Sequence, residues 1–211
     1  HRSFKRKGVP EAYETAGEPY RDVTPEEVKP LTSFGPDIEM SDYLKKDLSN
    51  YYDAIQRVDL FVDGCMERLE QAGLEDNTLV VFSSDHGPGY GRGKLACHEL
   101  GLQVPLIVRW PDAPAAGQRS EALVSLLDLM PTFLDAAELP KPEYLEGDSL
   151  KPMVHTKETS WRQYFCAEYT THWPIQDYFP MRSIRGPRYK LIHNLLSDHQ
   201  DLLYDHPTNE G

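Results

Sequence analysis

The chain reads TLVVFSSDHGP from residue 78 and VPLIVRW from residue 104. Both segments hold short apolar runs with β-branched residues. They predict two buried strands, Thr78–Ser83 and Val104–Trp110, that are neighbours in one sheet. A polar loop separates the two segments. Because open α/β sheets place ligand-binding groups just beyond the carboxyl ends of their strands, this loop is the first candidate for a functional site.

The loop carries an acidic residue, a histidine and a lysine in close succession. Asp85 and His86 follow the first strand, Gly87 lets the backbone turn, and Lys94 comes eight residues after the histidine. A carboxylate and an imidazole could grip a metal, and the lysine could meet an anion held by that metal. The alternative is a surface turn with a capping aspartate and a solvated lysine. Spacing alone does not separate these two interpretations.

The composition limits the class of protein. The 211 residues carry a net charge of -12, and 39% of them are hydrophobic. This balance predicts a globular chain that does not bind nucleic acid over a broad surface, so any anionic ligand must meet a local basic site. The three cysteines give neither a disulfide framework nor a zinc pattern. No apolar stretch approaches the roughly 18 residues of a membrane span, so none is expected.

Helical and strand patterns alternate along the chain, which predicts an α/β fold. One helix is predicted between an N-cap at Ser41 and a stop at Gly73. A second is predicted over Ser125–Leu139, where Pro131 is acceptable only near the first turn. From about Trp161, short aromatic segments joined by turns predict a small antiparallel sheet.

The segment Ser83–Pro111 resembles the second signature of the formylglycine sulfatases. In that signature an Asp-(Asn/His)-Gly turn is followed by a lysine and then by a Glu-x-Gly entry into a Val-Pro strand. Four further blocks resemble the family and lie in its order. They are Asn50–Asp59, Val124–Leu134, Gly147–Leu150, and Tyr178–Arg185 taken with Tyr189–Asn194. The last block is most similar to the heparan N-sulfatase (sulfamidase) branch.

The resemblance implies a partial alkaline-phosphatase-like α/β fold with a small C-terminal antiparallel sheet. Residues 1–155 would form the C-terminal part of the catalytic domain, and residues 156–211 a small antiparallel subdomain. Family members carry a C/S-x-P-x-R motif whose Cys or Ser becomes formylglycine, the nucleophile, and no Cys or Ser here fits it. The chain is therefore expected to be the C-terminal half of a sulfatase, with the N-terminal half of the same enzyme as its partner.

The resemblance also implies roles for individual residues. Asp85 and His86 are expected to bind one Ca²⁺ ion together with upstream acidic ligands; the alternative for His86 is to orient a substrate oxygen. Lys94 is expected to contact the sulfate and the nucleophile. His1 is expected to protonate the leaving group. Glu99 is expected to brace the loop rather than to react.

The predicted activity is hydrolysis of sulfate esters or N-sulfate groups of glycans, with N-sulfoglucosamine of heparan as the specific substrate. His172, Glu168 and Arg182 are the candidates for the sugar subsite. Two alternatives stay open: a phosphonate or phosphodiester hydrolase on the same scaffold, and a non-catalytic fragment or pseudoenzyme. The family resemblance implies a periplasmic or secreted location.

Overall fold

The structure is a computed structural model, and it describes residues 23–29, 39–111, 113–114, 117–156, 161–170, 180–196 and the backbone of 202–205. The chain divides into two compact units with the boundary between Asn77 and Thr78. The predicted boundary after residue 155 lies inside the second unit, and the predicted division into domains 1–155 and 156–211 stays a prediction.

The first unit is built around one long helix, α1 (Asp42–Gln71). Ser41 caps this helix because its hydroxyl accepts a hydrogen bond from the backbone N–H of Leu44. The helix ends just before Gly73, and a 3-10 turn, Glu75–Asn77, follows. Both predicted ends of the helix are confirmed. No helix among the described residues combines the length and apolarity needed to cross a membrane.

The described residues of the second unit form two antiparallel sheets. Its elements are β1 (Val80–Ser83), α2 (Glu99–Leu102), β2 (Leu106–Arg109), α3 (Leu129–Ala136), α4 (Lys151–His155), β3 (Phe165–Tyr169), β4 (Met181–Arg185), β5 (Tyr189–Asn194) and β6 (Leu202–Asp205). Strands β1 and β2 pair with each other, and the second sheet has the order β3-β4-β5-β6. The small C-terminal antiparallel sheet is therefore confirmed, and β6 is a strand that the sequence pattern did not predict.

The two strands beside the polar loop are neighbours, as predicted, but they are less buried than predicted. Ser83 pairs with Leu106 in antiparallel register. All four residues of β1 are only half-buried, and Ile107 in β2 is 62% exposed. Among the residues that the structure describes, the prediction that both strands are buried is therefore wrong. The physical reason is that β1 and β2 form a two-stranded sheet there, which covers fewer of its own side chains than a larger sheet would.

The second predicted helix is present as a 3-10 turn, Leu126–Asp128, that leads into α3. Ser125 and Asp128 form a reciprocal cap at its start, in which each side chain accepts a backbone N–H hydrogen bond. Pro131 is the third residue of α3 and so lies in its first turn, the place where a missing N–H is tolerated.

A buried aspartate joins α3 to the turn that precedes α4. Asp128 is fully buried, and its carboxylate accepts the backbone N–H of Asp148 at 2.9 Å and two hydrogen bonds from the Arg162 guanidinium. Burial alone would lower the pKa of Arg162, but the hydrogen bonds and charge of Asp128, aided by Asp148, hold that pKa above its usual value. Only glycine fits at Gly147, because a Cβ there would lie 2.0 Å from the carbonyl oxygen of Leu127.

The C-terminal sheet packs one face against the loop that connects β1 and β2. In β4 and β5 buried and exposed residues alternate, so Met181 and Ile192 point inward. Cys97 from the loop is buried with these two side chains, and its backbone N–H lies 3.2 Å from Sδ of Met181. Burial raises the pKa of the Cys97 thiol, despite a hydrogen bond with Ser183 that acts in the opposite direction. The loop is therefore fixed on the sheet by a small apolar core.

Candidate active site

Two backbone hydrogen bonds fold the loop between β1 and β2 back on itself. The N–H of Gly87 donates to the carbonyl of Gly101 at 2.9 Å, and the N–H of Lys94 donates to the carbonyl of Pro88 at 2.8 Å. The first bond closes the base of the loop, and the second closes its inner turn. Lys94 is thereby held next to the short segment that carries the predicted metal ligands.

Gly87 occupies a position that no other residue can take. A Cβ at this position would lie 1.6 Å from the carbonyl oxygen of Leu100. This close approach lets the segment after β1 pack directly on the backbone of α2. The loop geometry therefore depends on the absence of a side chain at residue 87.

Asp85 and His86 come one residue after the end of β1, and their side chains face each other. Nδ1 of His86 lies 2.8 Å from the carbonyl oxygen of Gly87, and a carbonyl can only accept, so Nδ1 carries a proton. Nε2 of the same ring lies 3.4 Å from Oδ2 of Asp85, and the backbone N–H of His86 donates to Oδ1 of Asp85 at 3.0 Å. The side chain of Asp85 is 83% exposed and thus open to a ligand.

Lys94 stands between two residues with an uncommon backbone conformation. Arg92 and Leu95 have φ values of 63° and 72°, a region that residues other than glycine seldom adopt. Such conformations persist where surrounding contacts impose them, and they concentrate at functional sites. The side chain of Lys94 is exposed, on the same loop as Asp85. The loop thus presents a cation from a constrained backbone.

Glu99 ties the loop to the C-terminal sheet. Its Oε1 lies 2.7 Å from Nζ of Lys190 and 3.8 Å from Nε of Arg185. Lys190 is only 1% exposed, so its ammonium group is removed from water. These contacts agree with the expectation that Glu99 braces the loop, and its role stays a prediction. The neighbouring His98 is half-buried, and burial lowers its pKa, with the charges of Arg92 and Lys190 acting in the same direction.

Two protein-family models match the sequence. The model described as Sulfatase matches residues 4–139, and the model described as N-sulphoglucosamine sulphohydrolase, C-terminal, matches residues 92–210. The chain belongs to the sulfatase family.

Individual relatives agree with this assignment. Human N-sulphoglucosamine sulphohydrolase is 35% identical over 185 residues, which cover 82% of this chain and 36% of the human protein. A protein solved in complex with its substrate, D-glucosamine-2-N,6-O-disulfate, has a TM-score of 0.65 and 26% identity over 80% of this chain and 36% of its own. The phosphonate monoester hydrolase from Silicibacter pomeroyi has a TM-score of 0.70 and 27% identity over 95% and 43%, respectively.

The matched region is only part of the length of these relatives. The chain spans 36% of the length of the human relative. Its fold is a partial alkaline-phosphatase-like sulfatase fold, which the resemblance in the sequence predicted.

The residues predicted for the functional site fall into three groups by their location. Asp85, His86 and Lys94 lie together on the loop that follows β1. Glu168 and Arg182 lie elsewhere, on the C-terminal sheet. His1 and His172 are outside the described residues. The roles of all these residues stay predictions.

Glu168 and Arg182 are paired on the exposed face of the C-terminal sheet. They are register partners of β3 and β4, and Nε of Arg182 lies 2.6 Å from a carboxylate oxygen of Glu168. Because side chains alternate along a strand, these two point away from the face that packs on the loop. With Ile184, Leu191 and His193 they help to line a shallow concavity of about 340 Å³. The sheet itself thus separates this concavity from the loop.

The sequence interpretation did not single out Lys190 and Arg185, the two cations next to Glu99. The sequence did hold an indication for Lys190. Residues two apart on a strand share a face, so Lys190 lies on the same face of β5 as the fully buried Ile192. A lysine on the buried face of a strand indicates a buried charge, which needs an acidic partner. The identity of that partner, 91 positions away, could not be read from the sequence.

Proposed function

We propose that this sulfatase chain forms part of an enzyme that hydrolyses sulfate groups on glycans, with an N-sulfated glucosamine as its substrate. The observation that carries the proposal is one constrained loop that presents an exposed carboxylate, an imidazole facing it and an exposed lysine. The match of residues 92–210 to the C-terminal model of N-sulphoglucosamine sulphohydrolase supports the choice of substrate. A periplasmic or secreted location follows from the family resemblance alone.

Asp85 and His86 could supply part of the ligands of a Ca²⁺ site. A Ca²⁺ ion takes six to eight ligands, mostly oxygens. The Asp85 carboxylate supplies oxygen donors, whereas Nε2 of His86, which faces it, is a nitrogen and a poorer ligand for this hard cation. The described residues contain no group of three or more metal-ligating side chains. The remaining ligands would come from outside the described residues. A bound Ca²⁺ would hold the sulfate group and stabilise the charge on its oxygens.

Lys94 would act on the same sulfate group. Cleavage of the bond to sulfur spreads negative charge over the oxygens, and a fixed cation stabilises this charge without reorganising. The formylglycine nucleophile would be supplied by a further segment of the enzyme, because these 211 residues contain no C/S-x-P-x-R motif. His1 would donate the proton that an amine leaving group needs.

A stripe of exposed apolar side chains fits contact with that further segment. Leu126, Met130 and Phe133 are between 40% and 53% exposed and follow one another at helical spacing on the 3-10 turn and α3. Contiguous exposed apolar side chains mark contact surfaces between proteins or domains. The remaining part of the sulfatase fold, which makes up most of the length of the human relative, is the occupant that we propose.

Sulfate release from defined disaccharides tests the proposal. The full-length enzyme, which includes the segment that supplies the nucleophile, is incubated with N-sulfated, 6-O-sulfated and 2-O-sulfated heparan disaccharides, and we expect sulfate from the N-sulfated one. Lys94→Met should lower kcat/KM by about 10²- to 10³-fold. The matched control Lys45→Met, which loses an ion pair on α1 at 3.9 Å, should not. Release from an O-sulfated disaccharide alone would overturn the choice of N-sulfate, and release from none would overturn the sulfatase activity.

A phosphonate monoester hydrolase is the second candidate function. The likeness to the enzyme from Silicibacter pomeroyi, with a TM-score of 0.70 over 95% of this chain, favours it. One fold can host different activities, so the fold alone does not separate the two functions. Cleavage of a phosphonate monoester with no release of sulfate from any disaccharide would establish this function instead.

A further inference from the structure

A buried ammonium group lies at the contact between the candidate site loop and the C-terminal sheet. Lys190, in β5, is 1% exposed, and its Nζ donates to Oε1 of Glu99 at 2.7 Å. A buried charge without a partner is strongly unfavourable, so this lysine is stable in its place only while Glu99 is docked against it. The pair links residues 91 positions apart in the chain.

The contacts of Glu99 continue directly to the residues of the proposed site. Glu99 begins α2, and Gly101 of the same helix accepts the hydrogen bond from the N–H of Gly87. Gly87 is the neighbour of His86, and Pro88 accepts the hydrogen bond from the N–H of Lys94. Three links along the backbone and its hydrogen bonds thus join Glu99 to His86, and four join it to Lys94.

We propose that Glu99 and Lys190 are positioning residues of the sulfatase reaction, which fix the loop so that Lys94 and the Asp85–His86 pair keep one arrangement. This inference rests on the proposed function in so far as Lys94 meets the sulfate group. Neither member of the pair touches the substrate in this proposal. Their effect is exerted through α2 and the backbone of the loop.

The apolar core beside the pair cannot do this alone. The packing of Cys97 on Met181 and Ile192 is non-directional, and apolar contacts tolerate small shifts of one surface over another. A charge-assisted hydrogen bond of 2.7 Å loses strength steeply when its partners move. The pair therefore selects one position of α2 among those that the core permits.

An ion pair on the outer face of the sheet shows what distinguishes this one. Glu168 and Arg182 are as close, at 2.6 Å, but both side chains are about half exposed and point away from the loop. An exposed ion pair is screened by water and salt and contributes little. Glu99 by contrast pairs with the buried Lys190 and, more distantly at 3.8 Å, with the largely buried Arg185, so the inward contact combines burial with a link to the loop.

Hydrogen exchange at two amides of the loop tests the proposal without any substrate. Those are the N–H of Lys94 and the N–H of Gly87. We expect Glu99→Gln and Lys190→Met each to raise exchange at both amides by about 10-fold or more, since local opening sets the exchange rate. In the double variant the exchange rate should rise by less than the product of the rises in the two single variants, because both substitutions remove the same contact.

Leu150→Ala is the control for a general loss of stability. Leu150 is buried in the same unit, next to α4, and does not belong to the loop. Urea unfolding of each variant gives the stability at which the exchange rates are compared. Unchanged exchange at Lys94 in Glu99→Gln, or an equal rise in Leu150→Ala, would overturn the proposal. Glu99→Gln keeps a hydrogen-bonding side chain, so it remains informative if Lys190→Met does not fold.

Kinetics of the native enzyme on an N-sulfated disaccharide complete the test. A displaced Lys94 should lower kcat by about 10-fold or more in Glu99→Gln with a smaller change in KM, because Lys94 acts on charge that develops during the reaction. Lys190→Arg, which keeps a cation, should retain more activity than Lys190→Met. A kcat equal to that of the unaltered enzyme in Glu99→Gln would overturn the inference. Raised exchange in a protein that releases no sulfate would instead uphold the positioning pair and reject the proposed function.

Discussion

Replacement of Gly87 by alanine should disable the site while leaving the protein folded. The new Cβ would lie 1.6 Å from the carbonyl oxygen of Leu100, whereas such contacts are essentially never shorter than 3.0 Å. The two backbones must therefore separate by about 1.4 Å, the difference between these distances. Misplacement of a catalytic group by about 1 Å can cost about 10²-fold in rate, so we expect kcat/KM to fall by at least this factor.

The stability cost of Gly87→Ala should be moderate. Overpacking costs about 1–3 kcal/mol, and loss of the hydrogen bond to Gly101 adds about 1 kcal/mol. A domain with a stability of about 5–15 kcal/mol stays folded after such a loss. Kinetics of sulfate release and urea unfolding, measured on the same preparation, separate the two effects.

Gly91→Ala is the matched control in the same loop. No atom lies within 4 Å of the position that a Cβ would take there, so this variant should change neither the rate nor the stability appreciably. Two results would refute the reasoning. One is a kcat/KM for Gly87→Ala within about twofold of the unaltered protein, against the roughly 10²-fold loss expected. The other is an equal loss in Gly91→Ala.

Two further predictions concern stability. Asp128→Ala should lower the free energy of unfolding by about 3–5 kcal/mol because it leaves Arg162 without its buried partner. Asp135→Asn, which alters a half-exposed ion pair, should lower it by less than about 1 kcal/mol. Equal urea midpoints for the two variants would contradict this prediction. Burial lowers the pKa of His98 below 6.5, so its contribution is fully present above about pH 6.5 and is lost as the pH falls through the lowered value. The urea midpoint of His98→Gln should therefore fall less between about pH 7.5 and about pH 5 than that of the unaltered protein, and parallel pH profiles would count against the assignment.

Local signals in the sequence were sufficient for the elements that depend on local contacts. Ser41 and Gly73 mark the ends of α1 because capping involves residues within a turn of the helix. Pro131 located the first turn of α3 for the same reason. The burial of β1 and β2 was overestimated, because an apolar run reports the character of its own side chains. It does not report how many strands or layers lie beside them, and Ile107 stays exposed in the described chain.

The site loop shows why its residues could be predicted while its geometry could not. Arg92 and Leu95 adopt a conformation that their own local preferences disfavour, so the backbone on either side of Lys94 is imposed by contacts from elsewhere. The loop as a whole is held by the close approach of Gly87 to Leu100 and by the ion pair of Glu99 with Lys190, 91 positions away. A short motif can specify which groups a site contains, because the chemistry depends on residue type. The placement of those groups depends on long-range packing, and therefore changes at Glu99 or Lys190 should perturb the position of Lys94 more than changes at its exposed sequence neighbours.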